Sequence, residues 1–310
     1  MSLSPQRILV TGSNGHLGQR WLEAAGADAG AFSTRAVVRS ERARSQLEGL
    51  PPRQRPEEIR VVDYDDPSDL ARAAEGCDAA LHLVGILRET STTSYRDAHE
   101  TSATALARAA DEAGLKQIVY PSLFGADPRS QNPCLASKGR AEEILRAAST
   151  PTLVLRLPMV LGPGDPGSRA LLSQARSHIV PLVAGGDTLQ QPIDARDVVL
   201  ALRAACGAAA PIASVLELGG PEVLSHRALL LRAASLLGTQ PRIVGVPRSL
   251  AGFAVGALER LLPSPPLTRA VFEILEHDDC CDNGPALLAL GIALRDLDST
   301  LRYCASEAEN

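Results

Sequence analysis

The sequence has little of what marks several classes of protein. Phe, Trp and Tyr make up only 3% of its 310 residues, so a large core must be built from aliphatic side chains. The formal net charge of −5 and the lack of a basic, aromatic-interleaved patch argue against a nucleic-acid binder. No run reaches the roughly 20 apolar residues of a membrane span, and no signal peptide opens the chain. We therefore expect a cytoplasmic protein.

Cysteine is present but not in a pattern that binds metal or forms a disulfide framework. The chain has six cysteines and no C-x-x-C pair. His277 precedes Cys280 and Cys281, but no second ligand pair follows at the spacing of a zinc site. We expect reduced thiols and no metal.

The richest signal is a glycine motif near the start, in residues 7–18. An apolar run at 8–10 predicts a strand buried on both faces, and Gly12, Gly15 and Gly18 follow at G-x-x-G-x-x-G spacing. Beyond them a helix is predicted, because apolar residues recur on one helical face: Leu17, Trp21, Leu22 and Ala25.

Each glycine of this motif has a distinct physical role. Gly12 permits a sharp turn, Gly15 lets the backbone approach a pyrophosphate, and Gly18 lets the helix pack close to the strand. The N-terminus of the helix offers amide groups and a positive dipole end to that phosphate. The motif predicts a dinucleotide site made by Gly12, Asn14, Gly15, His16, Leu17 and Gly18.

Strands alternate with helices after this motif, which predicts an α/β fold with a doubly wound parallel sheet of the Rossmann type. We expect a nucleotide-binding domain over residues 1–160 and a smaller C-terminal α/β cap domain over most of 161–310. A segment near 193–215 is expected to return to the first domain. The predicted strands are 35–39, 59–63, 79–84, 117–120, 152–157, 215–218 and 242–244; the predicted helices are 67–74, 101–113, 134–145, 198–210, 225–237 and 250–262.

The end of the second predicted strand bears on which dinucleotide is bound. An NAD-selective site places an acidic residue there to bind the ribose hydroxyls, but this chain has Arg39 followed by Ser40. A guanidinium binds a 2′-phosphate in a forked geometry, whereas a carboxylate repels it. NADP(H) is favoured and NAD(H) remains open, because Arg39 could also be a solvated residue at a helix start.

These motifs together resemble the short-chain dehydrogenase/reductase superfamily in its extended form. The resemblance covers nearly the whole chain. It is closer still to the atypical branch that includes the Rossmann-type accessory subunit of respiratory complex I and bacterial epimerase/dehydratase-like relatives. The stretches that carry it are the three glycines, residues 82–89, Ser122, 124–128, Lys138, 156–158, 162–164, 217–222 and 263–269.

The resemblance implies where the cofactor contacts lie. Asp63 would lie by the adenine, and Val84 with Gly85 beneath the adenosine ribose. Lys138 would bind the nicotinamide ribose, and Pro158 would border the nicotinamide ring.

The resemblance also implies the catalytic residues, and here the chain departs from the family. Competent members use a Tyr-x-x-x-Lys pair on one helical face, in which the ammonium lowers the pKa of the tyrosine, with a serine at the end of strand five. Ser122 and Lys138 are kept, but Cys134 stands where the tyrosine belongs. A thiol titrates near the right pH, yet its sulfur lies short of the reach of a phenol, so water or another group, such as Tyr95 or Tyr120, would have to supply the proton.

Three functions follow as alternatives. The first is an NADPH-dependent oxidoreductase acting on a small or lipid-like carbonyl substrate. The second is a non-catalytic nucleotide-bound protein that docks to a partner or senses redox state, as an accessory subunit of a respiratory complex would. The third is a sugar-nucleotide epimerase or dehydratase, which the absent tyrosine disfavours.

Two later segments carry open expectations. Asp194 and Asp197 could line the substrate site, or Asp197 could cap the helix predicted to start at residue 198. The apolar helix at 250–262 is too short to span a bilayer. It is expected to pack on the smaller domain or a partner, with peripheral membrane contact as the alternative.

Overall fold

The computed structural model describes residues 6–27, 31–262 and 267–306. A π-helical segment, Arg96–Thr101, leads directly into α4. The strands are β1 (Gln6–Thr11), β2 (Phe32–Val38), β3 (Glu58–Val61), β4 (Ala79–His82), β5 (Gln117–Leu123), β6 (Thr152–Leu157), β7 (Val160–Leu161), β8 (Ile179–Val183), β9 (Leu189–Gln190), β10 (Ile193–Asp194), β11 (Ser214–Glu217), β12 (Leu224–Ser225) and β13 (Arg242–Val246). The helices are α1 (His16–Ala27), α2 (Glu41–Glu48), α3 (Pro67–Ala74), α4 (Ser102–Ala113), α5 (Pro133–Arg146), α6 (Pro166–Arg176), α7 (Ala195–Cys206), α8 (His226–Leu236), α9 (Arg248–Leu261), α10 (Arg269–Leu275), α11 (Gly284–Leu290) and α12 (Leu297–Ser306).

The central sheet has seven strands in the order β11-β6-β5-β4-β1-β2-β3. Strand β1 pairs in parallel with β2 on one side and with β4 on the other, and the pairs β2–β3 and β4–β5 are also parallel. The chain leaves β1 in one direction to build β2 and β3, then crosses back to build β4, β5 and β6. Ligands of such sheets bind where the order reverses, which here is between β1 and β4. The predicted doubly wound fold is confirmed.

The core around this sheet is aliphatic, as the composition requires. Ile8, Leu9 and Val10 of β1 are fully buried, which agrees with a strand covered on both faces. Helix α4 packs on α3 through small side chains, including the buried Ala103 and Ala110, so the two helices approach closely. The apolar face predicted for α1 holds as well, because Trp21 and Leu22 are buried there.

The described residues divide into two compact units. The first comprises Met1–Arg156, Val199–Leu216 and Pro285–Ile292, and the second comprises Leu157–Val198, Glu217–Gly284 and Ala293–Asn310, as far as these ranges are described. The second unit has a core of its own around α6, α8 and α12. Its strand pairs are small: β13 pairs with β8 in parallel, and β12 pairs with β9 in antiparallel register. None of β7, β8, β9 and β12 was predicted from the sequence.

The expectation that Asp197 caps a helix beginning at residue 198 is wrong. Helix α7 begins at Ala195, which places Asp197 inside its first turn. Asp194 instead accepts a hydrogen bond from the backbone N–H of Arg196 at 2.7 Å, the contact that a capping side chain makes. Asp197 is fully buried and accepts from the backbone N–H of Arg295 at 2.8 Å.

Helix α9 corresponds to the apolar helix predicted at 250–262. Val255 and Gly256 are buried within the second unit, whereas Phe253 is 74% and Leu261 is 78% exposed. The helix therefore packs through one side only. In the described part of the chain, no helix has both the length and the apolar character to cross a membrane. The prolines expected to end this helix, at 263–266, lie outside the described residues.

The close packing of α1 on β1 makes a first prediction. A methyl group on Gly18 would lie 2.5 Å from the backbone oxygen of Ser13, so the helix would have to move. We expect Gly18→Ala to lower the free energy of unfolding by about 1–3 kcal/mol, measured by urea denaturation. Gly252→Ala in α9 is the matched control, because its methyl group would come no nearer than 4.0 Å to the Phe272 ring of α10. Equal stability of the two variants would contradict the packing argument.

Candidate functional site

The glycine motif forms a tight turn against the end of β4. Gly12 has a φ of +71°, a conformation that favours glycine, and a methyl group there would lie 3.0 Å from the carbonyl carbon of Leu83. The backbone N–H of Gly15 donates to the carbonyl of Gly12 at 3.0 Å, which closes the turn. Helix α1 then begins at His16, which is exposed. Because Gly12 and Gly15 have no side chain, a phosphate has room beside the N-terminus of this helix, as the sequence predicts.

A cavity of about 390 Å³ lies at this turn. Its walls come from the glycine turn, from the residues after β2 and from the residues after β4, so three neighbouring strand ends contribute to one site. Half of the twelve predicted cofactor residues line it, whereas His16, Leu17, Gly18, Asp63, Lys138 and Pro158 do not. The lining includes Gly12, Asn14, Gly15, Arg39, Ser40, Arg42, Tyr64, Val84, Gly85 and Ile86.

A second cavity, of about 480 Å³, shares Arg39, Tyr64 and Val84 with the first. It is lined by acidic side chains that the first cavity lacks: Asp63, Asp65 and Asp97. Burial raises the pKa of Asp65, and the nearby carboxylates of Asp63 and Asp97 raise it further, whereas Arg39 lowers it. The first cavity therefore suits an anion, and the second suits a ligand with hydrogen-bond donors.

Tyr64 lines both cavities and was not among the site residues predicted from the sequence. Its hydroxyl accepts from the backbone N–H of Gly12 at 2.8 Å and donates to the carbonyl of Val37 at 2.7 Å. Burial raises the pKa of this phenol well above its usual value, so it stays protonated. The side chain follows Asp63 at the end of β3 and is one of only four tyrosines in the chain, which is the signal that could have found it.

Two buried histidines hold the segment after β4. His82 Nδ1 lies 2.7 Å from the hydroxyl of Thr11, and His99 Nε2 accepts from the backbone N–H of Ile86 at 3.1 Å. His99 Nδ1 is 2.7 Å from Ser137 Oγ, whose own proton goes to the carbonyl of Cys134, so Nδ1 must carry the proton. Burial lowers the pKa of each histidine to about 3, so both are uncharged at neutral pH and act only through their hydrogen bonds.

Ser122 and Lys138, the predicted catalytic pair, lie at the end of β5 and on α5. Ser122 is 3% exposed, and its Oγ has no hydrogen-bond partner among the described residues. The Lys138 ammonium is also buried and donates to the hydroxyl of Tyr120 at 3.0 Å and to the carbonyl of Pro121 at 3.2 Å. Burial lowers the pKa of Lys138 to about 8. A methyl group on Gly85 would lie 3.1 Å from this Nζ, so the ammonium adjoins the first cavity.

Cys134 precedes Lys138 by one helical turn, as predicted. It is fully buried, and its Sγ lies 3.8 Å from the carbonyl oxygen of Ile86. Burial raises the pKa of the thiol to about 11, although the charge of Lys138 and a hydrogen bond with Tyr95 oppose this shift. A thiol so placed keeps its proton at neutral pH. Its catalytic role stays a prediction that this environment disfavours.

Other predicted residues lie in the second unit. Pro158 follows β6 directly. Asp194 forms an ion pair with Arg196 at 2.6 Å and accepts from the Thr300 hydroxyl at 2.9 Å, and these contacts satisfy it within that unit. Asp197 is held by Arg295. Both carboxylates thus have structural partners.

The contacts of Tyr64 yield a second prediction. Tyr64→Phe removes the partner of the Gly12 N–H and of the Val37 carbonyl, and each unsatisfied buried group costs about 1–3 kcal/mol. We expect a lower melting temperature and a weaker affinity for the dinucleotide, measured by calorimetry. Tyr303→Phe is the control, because it keeps the ring that lies 3.9 Å from the guanidinium of Arg196. An unchanged dinucleotide affinity in Tyr64→Phe would count against Tyr64 as the support of the turn.

Comparison with known proteins shows that the part of the chain containing this site matches NAD(P)H-binding proteins. Residues 12–179, more than half of the chain, match the family described as NAD(P)H-binding. A ceramide reductase of Caulobacter vibrioides is 28% identical over 245 residues, which cover 77% of this chain and 73% of that protein. The mitochondrial NADH dehydrogenase 1 alpha subcomplex subunit 9 of Arabidopsis thaliana is 28% identical over 213 residues. That alignment covers 66% of this chain and 53% of the Arabidopsis protein, so the chain matches about half of its length.

Among solved structures, UDP-glucuronic acid 4-epimerase from Bacillus cereus, in complex with UDP-glucuronic acid and NAD, superposes with a TM-score of 0.74. The match covers 98% of this chain and 99% of the epimerase at 16% identity, which shows a shared fold. The residues that match the family model, 12–179, contain the glycine turn and the ends of β2 and β4 beside it. The chain therefore belongs to the NAD(P)H-binding family.

Proposed function

We propose that this protein is an NADPH-dependent reductase of a small or lipid-like carbonyl compound. The observation that carries the proposal is the Ser122 hydroxyl, which is buried at the end of β5 without a hydrogen-bond partner in the described part of the chain. Buried hydroxyl groups in proteins are nearly always paired, so an unpaired one beside a buried ammonium suits a ligand oxygen. The similarity to a ceramide reductase supports a lipid-like substrate.

The cofactor, when bound, supplies the hydride, and this chain's residues supply its binding and the polarisation of the carbonyl. Gly12, Asn14 and Gly15 offer the turn that accepts the pyrophosphate, with His16, Leu17 and Gly18 opening the helix beside it. Asp63 would meet the adenine, and Val84 and Gly85 the adenosine ribose. Lys138 would lie beside the nicotinamide ribose. Ser122 would donate to the carbonyl oxygen of the substrate.

The preference for NADPH over NADH rests on the charges of the first cavity. Arg39 and Arg42 line it together with the Ser40 hydroxyl, and none of the carboxylates in the described ranges does so. A 2′-phosphate placed there meets two guanidinium groups, which bind it through charge-assisted hydrogen bonds. NAD(H), which lacks this phosphate, would gain nothing from them.

A second candidate is a nucleotide-bound accessory or redox-sensing protein without turnover. It is favoured by Cys134, which stands in place of the family's tyrosine, and by the similarity to a subunit of NADH dehydrogenase. An epimerase or dehydratase of sugar nucleotides is less well supported. Those reactions also need the tyrosine that this chain lacks.

The cofactor preference is tested by Arg39→Ala. We expect the affinity for NADPH to fall about tenfold or more and the affinity for NADH to stay the same, measured by titration calorimetry. Arg44→Ala is the control, because Arg44 lies on helix α2, which begins shortly after Arg39, but pairs with Glu48 at 2.9 Å and does not line the first cavity. Equal losses for both dinucleotides would show that Arg39 does not select the phosphate.

The reductase proposal is tested by oxidation of NADPH with a panel of ketones, including long-chain 3-ketosphingoid and ceramide-like compounds. We expect turnover by the parent and a loss of about 100-fold in kcat in Ser122→Ala, because one oxyanion donor is worth that much. Ser149→Ala, an exposed serine after α5, is the matched control. Tight NADPH binding without turnover of any carbonyl would support the accessory function instead.

A further inference from the structure

The chain contains only two lysines, Lys116 and Lys138, among its 31 basic residues. Lys116 lies at the surface, where it pairs with Asp78 at 2.7 Å. Lys138 is buried on α5. Arginine supplies the cation almost everywhere else, and arginine does not release a proton in proteins. A lysine at a buried position of this chain therefore points to a role that arginine cannot fill.

The surroundings of Lys138 leave part of its ammonium unused. An ammonium has three N–H donors, and the described contacts account for two, to Tyr120 Oη at 3.0 Å and to the Pro121 carbonyl at 3.2 Å. Ser122, the residue after Pro121, has an unpartnered Oγ as well. The Ser122 hydroxyl on β5 and one N–H of the Lys138 ammonium, which reaches from α5 to the carbonyl of the preceding Pro121, thus remain available to one oxygen atom of a ligand.

We propose that Lys138 itself delivers the proton to the substrate oxygen, in place of the tyrosine missing at position 134. The inference rests on the proposed reductase function. Hydride from the reduced nicotinamide forms the new C–H bond at the carbonyl carbon, and the electron pair of the C=O π bond moves to oxygen. That oxygen takes a proton from Lys138 Nζ to give the alcohol. The products are the alcohol, the oxidised dinucleotide and a neutral lysine amine, which water protonates again.

The neighbouring groups do not offer this proton. Tyr120 is fully buried, and burial raises the pKa of its phenol above the usual value. The Tyr95 hydroxyl donates to the carbonyl of Leu87 at 2.8 Å. Cys134 points to the carbonyl of Ile86 and has a pKa of about 11. For a substrate oxygen that accepts a hydrogen bond from Ser122, the remaining proton donor is therefore the Lys138 ammonium.

The charge state of Lys138 sets the expected pH dependence. Its pKa is lowered to about 8 by burial, and Cys134 and Glu142 on the same helix oppose this shift. From the other elements, His82 and His99 face it as neutral groups with pKa values of about 3, and Tyr120 faces it as a neutral phenol. Glu142 is paired with Arg156 at 2.7 Å. The ammonium is the acid, so reduction should be full below pH 8 and fall above it.

The test compares two readouts on the full-length protein. Lysine labelled with ¹³C at Cε gives two NMR signals, and the one that disappears in Lys138→Arg belongs to Lys138. Its titration midpoint, with NADP⁺ bound, is compared with the alkaline limb of kcat for NADPH-dependent ketone reduction. We expect the two midpoints to agree within about half a pH unit. Lys138→Met should lose about 100-fold or more in kcat at every pH. In Lys138→Arg, kcat should no longer fall at alkaline pH.

Tyr95→Phe tests the other proton donor that the sequence offers, because it keeps the aromatic ring stacked 5.8 Å from that of His99 and removes the hydroxyl that donates to Leu87 and bonds with Cys134. We expect it to keep both the rate and the alkaline limb. A limb that does not follow the Lys138 signal, a limb that vanishes in Tyr95→Phe, or a Lys138→Met rate within tenfold of the parent would overturn the inference. Each of these outcomes leaves the reductase function standing. A parent that binds NADPH but reduces no ketone overturns the reductase function, and this inference falls with it.

Discussion

The site depends on a close contact between two backbone segments, the turn after β1 and the residues that follow β4. Gly12 turns within contact distance of Leu83 and Val84 at the end of β4, and the third glycine of the motif lets α1 lie directly against the turn. Both contacts require the absence of a side chain. Because the strand order reverses between β1 and β4, this is also the point where the sheet leaves space for a ligand.

Side chains from distant parts of the chain then hold this backbone in place. Tyr64 satisfies the amide of Gly12 from the end of β3, while His82 and His99 hold the end of β4 and the residues after it. None of these three carries a charge at neutral pH, so the hydrogen bonds that hold the turn come from neutral groups. The cations belong to other segments: Arg39 and Arg42 follow β2, and Lys138 lies on α5. None of these three cations forms the hydrogen bonds that Tyr64, His82 and His99 make to the turn and to the end of β4.

The sequence could predict those parts of the fold and the site that local patterns determine. The glycine spacing, the buried run of β1 and the alternation of strands and helices depend on neighbouring residues, and the sheet follows from them. Tyr64, Arg42 and Ile86 were missed because their contribution depends on strands that meet only in the folded chain. The strands β7, β9 and β12 were missed because two-residue strands carry no periodicity, and β8 was missed because Pro181 within it disfavours a strand prediction. A cap at Asp197 was one of two alternatives, favoured by the apolar face that begins at Val198, but α7 already begins at Ala195.

The two buried histidines have a consequence for how the site responds to acid. Free imidazoles gain a proton as a solution is acidified from pH 7 to pH 5, and each would bring a positive charge to the floor of a nucleotide site. His82 and His99, with pKa values of about 3, remain uncharged throughout that range. The electrostatic potential that they contribute is therefore constant across the acidity of most cellular compartments, and imidazole here behaves as a fixed spacer with two hydrogen bonds.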